Sequence, residues 1–194
     1  MIYLDNAATT KPDERAFARA REFLTDKWFN PSGLYQEGFA LQGELKKARS
    51  ALLSHVADEE NFELVFTSCG TESDNWAIQA AIWQGRHTGK HIITTAVEHS
   101  AVLEPCRWLQ QQGYEVTYLK PDRAGRVTVE QVAGALRDDT VLVSMMLVNN
   151  ETGCIFPVAE TAQLLRDRKS RTLLHCDAVQ GFLKVPCEPE VWGV

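Results

Sequence analysis

From residue 63 onward the chain alternates short apolar runs with segments of helical period, and that rhythm leaves few folds open. The runs Glu63 to Thr67, His91 to Thr95, Tyr114 to Leu119, Thr140 to Leu147 and Thr172 to Cys176 have the length of strands. Between them, Thr71 to about His87, Ala101 to Gln112, Val129 to Arg137 and Val158 to Arg168 read as helices. Strands joined through helices make βαβ units, because a parallel return needs a crossover long enough to hold a helix. The strands are nearly continuous in apolar character, as strands covered on both faces are. The expected fold class is α/β, a mostly parallel sheet flanked by helices.

The first sixty residues lack this alternation. Pro12 and Asp13 open a helical pattern with Ala16, Ala20, Phe23 and Leu24 on one face, and Asn30-Pro31-Ser32-Gly33 breaks it. A longer helix is predicted from about Leu34 to Val56, with Phe39, Leu45, Ala48, Leu52 and Val56 as its buried side. Residues 1–60 therefore read as a helical N-terminal arm on a main domain at 61–194.

Composition narrows the function classes. A net charge of -6 with no basic block argues against nucleic-acid binding. No apolar run approaches the roughly 20 residues that span a bilayer, and Met1-Ile2-Tyr3-Leu4-Asp5 lacks the basic and apolar regions of a secretory signal. The five cysteines are scattered without a C-x-x-C pair, which supports neither a zinc site nor a disulfide framework. Cys106 and Cys176 read as small buried hydrophobes, and a cytoplasmic location is the default expectation.

Polar residues gather where the strands end. Asp177 leaves the last apolar run, with Gln180 three residues on; His99 and Asn150 follow earlier runs. Gly70 and Thr71 open a helix after Glu63 to Thr67, where backbone N–H groups and the helix dipole suit a phosphate, and Thr71-x-x-Asp74 has capping-box spacing. Taken singly, each also suits a turn or a cap. Together they line the carboxyl ends of one parallel sheet, where open α/β sheets bind ligands. A phosphate cradle, a ring-stacking imidazole and an acid for a ring nitrogen are what a pyridinium cofactor needs.

The sequence closely resembles the cysteine desulfurases of the nitrogen-fixation and iron–sulfur-assembly group, within the class V aminotransferase-like pyridoxal-phosphate enzymes. The resemblance rests on Tyr3-Leu4-Asp5-Asn6-Ala7-Ala8-Thr9-Thr10, Asn30-Pro31-Ser32, Thr71-Glu72-Ser73-Asp74-Asn75, Glu98-His99, Asn149-Asn150-Glu151-Thr152-Gly153 and His175-Cys176-Asp177-Ala178-Val179-Gln180. It implies the large domain of a fold type I pyridoxal-phosphate transferase. It also implies that Gly70 and Thr71 hold the cofactor phosphate, His99 stacks on the ring and moves protons as a catalytic residue, and Asn150 meets the ring hydroxyl or the substrate carboxylate. Asp177 would pair with the ring nitrogen and Gln180 with the ring hydroxyl. The family reaction takes L-cysteine to L-alanine and leaves sulfur on an enzyme cysteine as a persulfide. An acceptor protein then draws on it for iron–sulfur clusters or transfer-RNA thiolation, and the enzyme is a homodimer.

Departures from the family pattern qualify this. Cys69 replaces a Gly in the phosphate turn, which would be strained if that position needs a positive φ. Gly33 and Tyr35 replace the usual Ser and His after Asn-Pro-Ser. Lys184 is the only Lys after Asp177 and does not match the family's cofactor-anchoring Lys; no cysteine matches the persulfide-forming one, and the small C-terminal domain has no counterpart. These residues are expected to bind the cofactor weakly and to be inactive alone, with an exposed edge at or beside strand 172–176 that favours self-association. The alternatives are a non-catalytic remnant, one half of a split gene, or another class V lyase or aminotransferase.

Overall fold

Two strands buried at every residue set the centre of the sheet: β1 (His91–Thr95) and β3 (Thr140–Met146). In β2 (Glu115–Leu119) and β4 (Leu173–Asp177) only the last residue is buried. The computed structural model describes residues 1–58 and 60–193. All pairings are parallel, in the order β2-β1-β3-β4. The chain runs outward from β1 to β2 and then returns to place β3 on the other side of β1. The topological switch point therefore lies between β1 and β3.

Helices cover both faces. Ile92 and Leu142 pack with Ile78, Ala81 and Ile82 of α3 (Gly70–Gly85) and Val102, Cys106 and Leu109 of α4 (Ser100–Gln111). Ile93 and Val143 pack on the opposite face, with Val132 of α5 (Val129–Ala135), Val158 and Ala162 of α6 (Val158–Asp167) and Trp192 of α7 (Pro189–Trp192). Alternate residues of one strand thus feed two cores, and burying each large aliphatic side chain contributes about 2 kcal/mol. A register shift between His91 and Ile92 leaves Val141 extra in β3. Gly85 makes room for it, since a Cβ there would stand 2.7 Å from Val141 Cβ.

The chain divides into two compact units, Met1–Val65 and Phe66–Val194. In the first, α1 (Glu14–Thr25) starts at Asp13, whose carboxylate accepts from the Arg15 N–H at 2.8 Å. Asn30 Oδ1 accepts from the Ser32 N–H in the turn before α2 (Gln36–Leu53). Gly38 is required there, because a Cβ would stand 2.5 Å from the Gly33 carbonyl oxygen.

Two expectations are corrected. The run Glu63 to Thr67 is not a strand: among the described residues it joins no sheet, and Val65 and Phe66 are exposed. Apolar character reports a wish for burial, whereas a strand also needs a neighbour to pair with. The buried residues of α2 are Gly38 and Leu53, while Phe39, Ala48 and Leu52 are exposed. A stripe shows which face seeks cover, and a unit of two helices has little to cover it with. Among the described residues no helix is long and apolar enough to cross a membrane.

Candidate active site

The start of α3 shows how one short motif divides its labour. Its N-cap is Cys69, in extended backbone with φ -168° and ψ 170°, so a side chain is accommodated there without strain. The concern that Cys69 stands where only glycine fits is thereby removed. The capping box read from Thr71 and Asp74 is replaced by another arrangement. Glu72 reaches back to accept the Ser68 N–H at 2.6 Å, and Ser73 Oγ lies 2.7 Å from Thr67 Oγ1. Asp74 points inward and is buried; Asn75 donates to the carbonyls of Thr71 and Ala101, tying α3 to the start of α4. Thr71 alone in the motif keeps its side chain exposed and uncommitted. The first intrahelical bond is Ser73 N–H to the Cys69 carbonyl, so the N–H groups of Gly70, Thr71 and Glu72 precede the ladder. The Cys69 thiol is held below its ordinary pKa chiefly by the Glu72 N–H, with the Ser68 hydroxyl next. That turn favours negative charge, as a phosphate cradle must.

Asp177 ends β4 and is 8% exposed, with Oδ1 accepting the Val179 N–H at 2.9 Å. Burial raises its pKa above the usual carboxylate range. The Val179 N–H opposes the rise, the Asp74 charge adds to it, and His175 and His99 act against it. His175 Nδ1 pairs with Ser144 Oγ at 2.8 Å and its Nε2 lies 3.5 Å from Asp74 Oδ1. A Cβ on Gly70 would meet Val179 Cγ2 at 3.2 Å, so the helix start and the turn after Asp177 are in close approach. The two sides of this approach differ in character. Around Asp177 lie the further buried carboxylates Asp74 and Glu98, which suits a ring N–H cation; at Gly70 and Thr71 the N–H groups ahead of the helical ladder, which already draw negative charge onto the Cys69 sulfur, suit a phosphate. The residues present therefore fit a zwitterionic pyridinium phosphate.

His99 follows β1 as the N-cap of α4, exposed, with Nδ1 accepting the Ala101 N–H at 3.2 Å. Asn150 follows β3, half-buried, and donates to Glu151 Oε1. Gln180, half-buried in the turn after β4, accepts from Lys184 Nζ at 3.3 Å. His99, Asn150 and Asp177 thus stand at the carboxyl ends of the three adjacent strands β1, β3 and β4, and Gly70 and Thr71 approach the same rim from a helix that, among the described residues, follows no strand.

Two residues of the quoted motifs, Asn149 and Glu98, carry structural roles that the sequence reading did not assign them. Asn149 is 3% exposed and organises the turn that carries Asn150: its Oδ1 accepts from Glu151 N, Thr152 N and Thr152 Oγ1. Glu98 is 5% exposed, accepts from Thr95 Oγ1 and Met146 N, and is pushed up to about 7, first by burial and then by the charges of Asp177 and Asp74. Nothing local separates a buried Glu98 or Asn149 from an ordinary loop residue.

A parallel α/β sheet with this site at the carboxyl ends of its strands has the architecture of the large domain of fold type I pyridoxal-phosphate transferases. Structural likeness agrees. A NifS-like protein superposes with a TM-score of 0.93 at 35% identity, over 100% of this chain and 53% of that one. DndA from Streptomyces lividans gives 0.82 at 46% identity, over 95% and 51% of the two chains. The chain belongs to the aminotransferase class-V family, whose model matches residues 2–194. It is 43% identical to the cysteine desulfurase NifS of Azotobacter vinelandii and 41% identical to the cysteine desulfurase IscS of Methanosarcina thermophila. Each match covers 96% of this chain and 46% of the relative. The chain spans about half the length of the curated relatives it matches.

Proposed function

We propose that this chain is the N-terminal, cofactor-recognising portion of a pyridoxal-phosphate-dependent cysteine desulfurase. The observation that carries the reading is the juxtaposition at the carboxyl ends of the strands: the start of α3, at Gly70 and Thr71, closely approaches the turn that follows the buried carboxylate Asp177. The cofactor, when bound, supplies an electron sink for bond breaking at the substrate's carbon. Asp177 holds the ring nitrogen protonated; Gly70 and Thr71 bind the phosphate; Asn150 and Gln180 orient ring and substrate. His99, whose Nδ1 is engaged by the Ala101 N–H, would stack on the ring and has Nε2 left to hold or release a proton. A relative solved structure, SspA, is described in complex with cysteine, and cysteine is the substrate proposed here. The homodimer, the acceptor protein and the cytoplasmic location belong to this proposal.

Equilibrium dialysis against pyridoxamine 5′-phosphate tests the reading, because that ligand carries no aldehyde to react with surface lysines. Saturable binding that Asp177→Asn weakens about tenfold or more supports it; binding indifferent to Asp177 overturns it. Residues 1–194 alone are expected to release no alanine from L-cysteine; measurable release would contradict that.

A further inference from the structure

Glu98 lies at the switch point between β1 and β3 and has no part in the roles proposed above. The β1–β3 register ends at Thr94 and Ser144, after which the chain leaving β1 turns toward β2, with the Ala96 N–H donating to the Leu119 carbonyl at 2.8 Å. The Met146 N–H then faces no β1 carbonyl. The Glu98 carboxylate takes that place, Oε1 and Oε2 accepting at 3.1 and 3.0 Å, while Oε1 also accepts from the Thr95 hydroxyl at 2.7 Å. A second bond crosses the same gap, from Asn149 Nδ2 to the Val97 carbonyl at 2.9 Å. The two residues before His99 are thus each tied across to β3 or its exit.

We infer that Glu98 is a positioning residue: with Asn149 it clamps the exit of β1 to β3 and so fixes where the His99 imidazole stands at the start of α4. The consequence for cofactor binding rests on the function proposed above; the clamp itself does not. Ionised, Glu98 accepts from both donors. Protonated, it turns one oxygen into a donor and loosens its hold on the Met146 N–H. The groups facing it are Asp177 and Cys176 of β4, Asp74 of α3 and Cys106 of α4, with His99 next in sequence. None supplies a fixed positive charge, which is why burial and the two aspartates bring its titration to about 7.

Amide NMR of the full chain without cofactor, from pH 5 to 9, tests the clamp. The Met146 amide shift is expected to titrate with a midpoint near 7 in the wild type and to lose that titration in Glu98→Gln. The Ala101 N–H, which donates to His99 Nδ1, is expected to exchange with solvent about tenfold faster in Glu98→Gln. A flat Met146 shift in the wild type, or unchanged Ala101 exchange in the folded variant, overturns the inference. If Glu98→Gln does not fold, the wild-type titration decides alone. Because no readout involves a cofactor, a chain that shows the titration but fails to bind pyridoxamine phosphate refutes the proposed function and leaves the clamp standing.

Discussion

The two ends of the sheet handle buried polarity in opposite ways. At the amino end, His91 is fully buried and bridges three strands, Nδ1 to Thr140 Oγ1 and Nε2 to Thr117 Oγ1, both at 2.8 Å. Beside it Arg137 pairs with both Glu115 and Asp139, so each of these carboxylates has a cationic partner. At the carboxyl end, Glu98, Asp177 and Asp74 are buried near one another, and the first two are pushed up in pKa. One end is a completed staple. The other holds uncompensated charge, which is where a ligand has something to supply.

The signs with pH follow. Burial holds His91 below the usual imidazole range, so its contribution is present above about 6.5 and is lost as pH falls. Glu98 and Asp177 are raised, so the folded state binds more protons than the unfolded one, and stability falls as pH rises toward 7.

The largest break in the comparison is His91→Ala, which leaves a cavity, takes the imidazole from Thr117 Oγ1 and leaves Thr140 Oγ1 with the Arg137 N–H alone. It should cost about 3 kcal/mol in urea unfolding at pH 7.5; a loss well under about 1 kcal/mol would mean the staple is not one. Glu98→Gln should act on slope rather than level. The move from 4.5 to about 7 corresponds to a decline on the order of 3 kcal/mol between those pH values, which the variant should flatten; melting temperatures from pH 5 to 8 show whether it does. Asp177→Asn should lower pyridoxamine phosphate affinity by about 2 kcal/mol while raising stability at pH 8, since Asn keeps the Val179 N–H bond and removes a buried charge. A loss of both would place Asp177 in the architecture instead of the site. The smallest change belongs to the amino end. Lys169 closes α6 at φ 48°, with its N–H on the Arg166 carbonyl and the Ser170 N–H on the Leu165 carbonyl, a Schellman turn that prefers glycine. Lys169→Gly should add about 0.5–1 kcal/mol, visible as a small rise in melting temperature.

Much of the second unit was legible because its signals are local. Runs of strand length delivered β1 to β4 nearly to the residue, and Asp177 showed itself as an acid at the end of one of them. What failed depends on neighbours distant in sequence. Glu63 to Thr67 is apolar enough for a strand, but pairing cannot be read from one run. Cys69 takes extended backbone, which its identity does not reveal. Asp74 has the spacing of a cap, yet His175, far along the chain, is what it faces. Glu98 is buried only because β1 and β3 part company just before it.

The central claim is that the charge-uncompensated end of the sheet is a pyridoxal-phosphate site. The direct measurement is an amide NMR titration of the full chain with pyridoxamine 5′-phosphate, read at both ends at once. The account predicts saturable shifts at Gly70, Thr71, His99 and Val179 with the amides around His91 and Lys169 unmoved. Shifts confined to the cationic stretch Arg168, Lys169 and Arg171 at the amino end, or none that saturate, would contradict it.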